Sequence, residues 1–148
     1  MDKTNPFDLP DDRYYDAESH LWLKRDEQTG RIVVGINTIG LDILGDLAFV
    51  SLADVGSAVR RGDVIGSLEA AKMTTELIVP ISGIVIGCNE EVLKDPMKVN
   101  EDPYGKGWLF SIDPSDWEKE KAELVSGEAI ADYVARAKEQ IASQNQIN

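Results

Sequence analysis

The chain holds one cysteine and one histidine in 148 residues. A single cysteine excludes an intrachain disulfide and any CxxC redox pair. His20, without thiol or imidazole companions in the sequence, cannot supply a zinc site of ordinary ligand count, so no metal is expected. No apolar run has the length of a membrane-spanning helix. The opening Met1-Asp2-Lys3-Thr4-Asn5-Pro6 lacks the apolar stretch of a signal peptide, and a cytoplasmic location away from membranes is expected. Basic residues are scarce: 15 Lys and Arg stand against 27 Asp and Glu, for a formal net charge of −12. Without a basic patch there is little to hold nucleic-acid phosphates. Dispersed acid suits solubility and docking onto basic partners, and it equally suits a saline or alkaline habitat. Cys88 lies in the apolar run Ile84-Val85-Ile86-Gly87-Cys88 and reads as a small core residue. Side chains suited to resident catalysis are therefore few.

What the chain has in quantity is short β-like segments. Residues 1–12, with Pro6 and Pro10, read as an extended arm before a single domain at 13–143, and 144–148 as a frayed tail. Leu21–Arg25 and Arg31–Ile36 flank a turn at Asp26–Gly30 and predict a hairpin. Thr38 is placed to cap a short helix that ends at Leu44 before Gly45. Gly45-Asp46 and Gly62-Asp63 each feed an apolar strand that passes through Ser-Leu, like two weak copies seventeen residues apart. Asn89 is placed to cap a helix over 90–94, and a further strand is expected at Trp108–Ile112. Beyond Pro114 the spacing turns helical: Trp117–Leu124 comes first, then a segment capped by Ser126 and running to about Ser143. Its apolar stripe is Ala129, Ile130, Tyr133, Val134, Ala137 and Ile141. The fold class expected is mainly β, a compact barrel or sandwich followed by C-terminal helices.

One lysine stands at the centre of this pattern. Val64–Leu68 and Leu77–Val79 are apolar runs on either side of Glu69-Ala70-Ala71-Lys72-Met73-Thr74-Thr75-Glu76, which places Lys72 at a hairpin tip. An unmodified, solvated lysine has little chemistry of its own. Flanked by Ala70, Ala71 and Met73, it is instead well placed as an attachment point for a cofactor that carries the reaction.

A series of short motifs recurs in order along the chain. It comprises His20-Leu21-Trp22, Val34-Gly35-Ile36, Leu44-Gly45-Asp46, Asp54-Val55-Gly56, Gly62-Asp63, Glu69-Ala70-Ala71-Lys72, Pro80-Ile81-Ser82-Gly83, Asn89-Glu90 and Pro103-Tyr104-Gly105-Lys106-Gly107-Trp108. Together, from about Tyr14 to Tyr133, the series resembles the H proteins of the glycine cleavage system. The resemblance implies a flattened hybrid of barrel and sandwich with lipoic acid amide-linked to Lys72. It implies no catalytic residues: the chain would be a swinging-arm shuttle, with a cleft that shelters the loaded arm. It also implies that lipoylating enzymes read Gly56, Glu69 and Gly83, which lie sixteen before, three before and eleven after the lysine. The implied partners are a lipoate ligase or lipoyl transferase, dihydrolipoamide dehydrogenase, aminomethyltransferase and glycine decarboxylase.

Two departures open alternatives. Glycine-cleavage H proteins usually read His-Glu-Trp and Glu-Ser-Val-Lys-Ala, where this chain has His20-Leu21-Trp22 and Glu69-Ala70-Ala71-Lys72-Met73. Ala71-Lys72-Met73 matches the Ala-Met-Lys-Met of biotin carriers only in part, and the length and the Tyr104–Trp108 segment favour lipoate over biotin. H-like lipoate carriers also serve sulfur oxidation beside a heterodisulfide-reductase-like complex. The altered hairpin, Leu21 and the acidity tilt the expectation slightly that way. An interaction module with unmodified Lys72 is the remaining reading.

Overall fold

A computed structural model describes residues 7–147, with side chains through residue 143. Residues 1–6 of the expected arm lie outside that range, as does Asn148. Two antiparallel sheets face one another. The larger holds strands β1 (Tyr14–Asp16), β2 (Leu21–Arg25), β3 (Ile32–Ile36), β5 (Ala58–Val59), β8 (Gly83–Cys88) and β9 (Phe110–Pro114), in the spatial order β1-β2-β3-β9-β8-β5. The smaller holds β4 (Leu47–Leu52), β6 (Val64–Ala70) and β7 (Thr74–Ile78), in the order β4-β6-β7. The two Gly-Asp segments lead into β4 and β6, which pair directly with Ser51 opposite Ser67.

The main core fills the space between the sheets. Leu21, Leu23, Ile32 and Val34 from the large sheet meet Val50, Leu68 and Leu77 from the small one, all nearly solvent-free. The strand β2 is apolar on both faces because both are covered: Leu21 and Leu23 point into this core, and Trp22 points into a second one. That second cluster lies under the C-terminal helix α5 (Ala129–Ile147), where Ile130, Tyr133, Val134 and Ala137 pack against Tyr15, Trp22 and Ile39. Leu9, from the expected extended arm, is buried in the same cluster.

Several boundaries differ from the sequence reading, each for a local reason. Asn37, not Thr38, caps helix α1 (Thr38–Leu44): its side chain accepts from Gly40 N, while Thr38 Oγ1 donates to Phe7 O and is the first helical residue. Asn89 caps α2 (Glu90–Lys94) as expected, and a further helix, α3 (Met97–Glu101), follows Pro96. Helix α4 stops at Trp117–Glu120 and tightens into a 3-10 turn over Lys121–Glu123. The helix α5 starts at Ala129, which is exposed in its first turn, after a turn at Gly127-Glu128 closed by Ala129 N–H on Ser126 O. It runs to Ile147, so the expected tail at 144–147 is its last turn.

Candidate functional site

The connection at the Lys72 hairpin is shorter than its sequence suggests. The strand β7 begins at Thr74, not Leu77, so only Ala71, Lys72 and Met73 connect it to β6. Thr74, Thr75 and Glu76 are polar, yet they pair in register with Glu69, Leu68 and Ser67. A sheet with one solvated face accepts such residues, and β-branched threonine suits a pleat. Ala70 N donates to Met73 O at 3.0 Å and closes the turn.

The tip is docked onto the segment between α1 and β4. Ala71 N donates to Asp46 O (2.9 Å) and Lys72 N to Leu44 O (3.0 Å). Gly45, with φ of 81°, lies beneath the Lys72 side chain: a Cβ there would come within 3.3 Å of Lys72 Cγ. The seat is fixed from the other side by Asn100 on α3, whose Oδ1 accepts from Leu47 N (3.0 Å) and whose Nδ2 donates to Gly45 O (3.1 Å). Lys72 itself is exposed, with Nζ donating to Asp42 O at 2.9 Å. The amine is thus solvent-exposed on a tip whose backbone is hydrogen-bonded to the α1–β4 segment.

The other expected positions fall into two groups. Glu69 is exposed on β6, one strand pair back from the tip, between Phe49 of β4 and Thr74 of β7. Paired residues share a face, so Glu69 and the half-exposed Phe49 present a carboxylate beside an apolar ring. Gly56 and Gly83 have reasons within the fold. Gly56 turns the chain at φ of 96°, exposed and with open space where a side chain would begin. Gly83 is buried where β8 meets β9, and a Cβ on it would lie 2.2 Å from Asp113 O. Cys88 is half-buried, its thiol 3.5 Å from Ala53 O, and burial pushes its ionisation up.

Beside the hairpin lies a cavity of about 430 Å³. One wall is β7, the last strand of its sheet, through Thr75 and Leu77, with Met73 of the hairpin tip just before it. The opposite wall comes from the β1–β2 turn and α1, including His20, Leu21, Gly40, Ile43 and Leu44. Asp16, Glu18 and Glu76 add carboxylates to this otherwise mainly apolar lining. The sequence offered no local sign of this cavity, because its walls are distant in the chain and meet only through the facing sheets.

His20, on that wall of the cleft, also makes a polar contact with the C-terminal helix. Its Nδ1 is 2.5 Å from Tyr133 Oη, and the two rings stack with centroids 5.7 Å apart. Burial lowers the imidazole's proton affinity, with Asp16 opposing. Asn37 Nδ2 also donates to Tyr133 Oη, at 3.0 Å. Burial in turn holds the Tyr133 phenol well above its ordinary range. Among the described residues, no helix is long and apolar enough to cross a membrane.

Comparison with known proteins gives a consistent result. The family model described as "Glycine cleavage H-protein" matches residues 13–137. A glycine cleavage system H protein from Oceanobacillus iheyensis is 42% identical over 120 residues, covering 81% of this chain and 92% of that one. A probable glycine cleavage system H protein from Pyrococcus furiosus is 39% identical over 134 residues, covering 90% and 98%. Among solved structures, a glycine cleavage system H protein from Mycobacterium marinum superposes with a TM-score of 0.72 at 33% identity, over 86% of this chain and 98% of the other.

Proposed function

The chain belongs to the glycine cleavage H-protein family, a non-catalytic carrier component with the barrel-sandwich hybrid fold, and from that premise we propose that Lys72 carries lipoic acid in amide linkage and shuttles its cargo within a glycine cleavage system. The observation that carries this reading is the docked tip of the hairpin, which offers one exposed amine beside a cavity large enough to take an acyl arm. The residues present fit the group. Leu21, Ile43, Leu44, Leu68 and Met73 supply an apolar lining for a hydrocarbon chain. When attached, the lipoyl group supplies a dithiolane that opens to two thiols and takes the cargo on sulfur.

The chain's own residues then present, shelter and exclude water. Ala71 and Lys72 hold the attachment point against the α1–β4 segment through backbone bonds, and Ala70 N–H closes the turn on Met73 O, so that none of these bonds depends on Nζ. Glu69, exposed next to Phe49, is the side chain a lipoate ligase or lipoyl transferase reads directly. Gly56 and Gly83 act on that recognition by holding the backbone on which it depends. The partners that follow are aminomethyltransferase, glycine decarboxylase and dihydrolipoamide dehydrogenase.

The tilt toward sulfur oxidation gains no support. The relatives from Oceanobacillus and Pyrococcus are both named for glycine cleavage, as is the Mycobacterium structure. The residues behind that tilt have local roles here: Ala71 Cβ lies close against Gly45, and Met73 lines the cavity. Intact-mass spectrometry after co-expression with a lipoate ligase tests the attachment. The mass gain of one lipoyl group, lost in Lys72→Arg, is expected. A biotin-sized gain or an unchanged mass overturns it. Turnover of glycine in a reconstituted system, dependent on the lipoylated chain, tests the pathway.

A further inference from the structure

His20 occupies a backbone conformation that histidine seldom adopts. Its φ is 58°, in the left-handed region. Its N–H donates to Asp16 O at 2.9 Å, and its C=O accepts from Asn37 N at 3.0 Å. Gly40 keeps the space against it clear, since a Cβ there would lie 3.2 Å from both His20 Cβ and His20 O. Such conformations persist where the surroundings over-determine them, and they cluster at functional places. His20 is also a wall shared by two cavities, the cleft beside Lys72 and a smaller one of about 250 Å³ against α5.

The direction of the hydrogen bonds behind the ring follows from one fixed amide. Asn37 Oδ1 accepts from Gly40 N (3.0 Å) as the cap of α1, so its Nδ2 is the atom that faces Tyr133. An amide nitrogen only donates, so Tyr133 Oη accepts from Asn37. The phenolic hydrogen is left to donate, and among the hydrogen bonds of the described residues His20 Nδ1 is its acceptor. A neutral imidazole that accepts at Nδ1 carries its proton at Nε2. The relay therefore runs Asn37 to Tyr133 to His20.

We propose that Tyr133, oriented by Asn37, is a positioning residue of the cleft: it holds His20 as one neutral tautomer whose Nε2–H is a fixed donor to an uncharged acceptor on the arm lodged there. This rests on the lipoyl reading for the identity of the arm, whereas the tautomer is a property of the unmodified chain. Helix α5 is then more than cover for the second core. It sets the hydrogen-bonding character of a cleft wall otherwise built from the β1–β2 turn and α1. A ring locked in this way donates and cannot serve as a base through Nε2.

His20 is the only histidine in the chain, so its two ring nitrogens give an unambiguous pair of ¹⁵N signals. In the unmodified protein at neutral pH, Nδ1 is expected unprotonated and Nε2 protonated, without tautomer averaging. Tyr133→Phe removes the donor and is expected to produce a tautomer mixture. Asn37→Asp keeps the helix cap but replaces the amide donor by an acceptor, and is expected to reverse the relay and move the ring proton to Nδ1. A parent protein that shows Nδ1–H or a free-imidazole mixture overturns the proposal, as does a folded Tyr133→Phe with unchanged signals. If Tyr133→Phe fails to fold, Asn37→Asp decides. In a chain whose lipoyl mass gain has been verified, the Nε2–H signal is expected to shift, and an unmoved signal overturns the role toward the arm. An absent mass gain overturns the lipoyl reading, and with it the arm's part; the tautomer result is read without either.

Discussion

Lys72 lies back across the last turn of α1, its Nζ donating to Asp42 O at 2.9 Å while its N–H donates to Leu44 O at 3.0 Å. The backbone bond fixes the tip, and the side-chain bond is an exposed tether to a helix end that favours a cation. Acylation removes the charge and spares the backbone bond. Lys72→Arg is accordingly expected to stay within about 0.5 kcal/mol of the parent in urea unfolding, as surface substitutions do, while losing all lipoyl mass gain. A loss well above that range in the melt would mean that the side chain, rather than the backbone, holds the tip.

Gly56 and Gly83 separate recognition from architecture. Gly83→Ala forces a Cβ to within 2.2 Å of Asp113 O, so β8 and β9 must part. The cost expected is that of an overpacked interior, about 1–3 kcal/mol or more. Gly56→Ala has free space but a left-handed backbone, with an expected cost of about 1–2 kcal/mol. If both glycines act through the backbone, lipoylation rates of the two variants fall in the order of their unfolding free energies. An unperturbed Gly56→Ala fold that resists lipoylation would instead make Gly56 a direct contact.

Stability is expected to fall as pH drops from 7.5 toward 5. Burial depresses the His20 pKa in the folded chain below its ordinary 6.5, so below that value the unfolded state takes up the proton preferentially. The contribution is complete above pH 6.5 and is lost as pH falls toward the folded pKa. Asp16 and Glu18 on its own turn, Glu76 across the cleft, and Asp132 and Arg136 beside Tyr133 on α5 line the two cavities that His20 walls; of these, Asp16 opposes the shift. A second loss follows in acid, between about pH 4 and 2. There Asp12, held at about 2 by Lys24 and Arg13, gives up its charge. Asp12 is half exposed, so this second step is weakened by salt. Thermal midpoints across this range check both steps, and His20→Asn is expected to flatten only the first.

Much of this architecture is written in local patterns. Short apolar runs mark β2, β3, β6 and β8, and the spacing of Ile130, Tyr133, Val134 and Ala137 marks the buried face of α5. Lys72 at a hairpin tip is likewise local, because two strands and a short polar stretch define it. What the sequence could not show is pairing across long separations. Tyr133 meets His20 113 residues away, and Asn100 reaches Gly45 across 55. Both were ordinary residues in the linear text, Tyr133 as one member of an apolar stripe and Asn100 as an unremarked polar position. The early start of β7 at Thr74 was hidden for a different reason: a strand with a solvated face need not be apolar there.

Asn100 is where that long-range pairing bears on the site. Its amide spends both ends on one turn, accepting from Leu47 N and donating to Gly45 O. That turn in turn receives Ala71 N at Asp46 O, while Leu44 O just before it receives Lys72 N. Removing the amide leaves two backbone groups without partners at a partly buried seat, which typically costs about 1–3 kcal/mol. Asn100→Leu keeps the bulk and deletes both bonds, so the loss reports hydrogen bonding rather than a cavity. Because the lost bonds hold the seat rather than the core, hydrogen exchange of the Ala71 and Lys72 amides is expected to accelerate more than that of the Leu23 and Val34 amides. Equal acceleration everywhere would show Asn100 to be a general support of the fold. A selective effect at the tip would show that the Lys72 backbone is held in place because an asparagine on α3 holds the turn on which it rests.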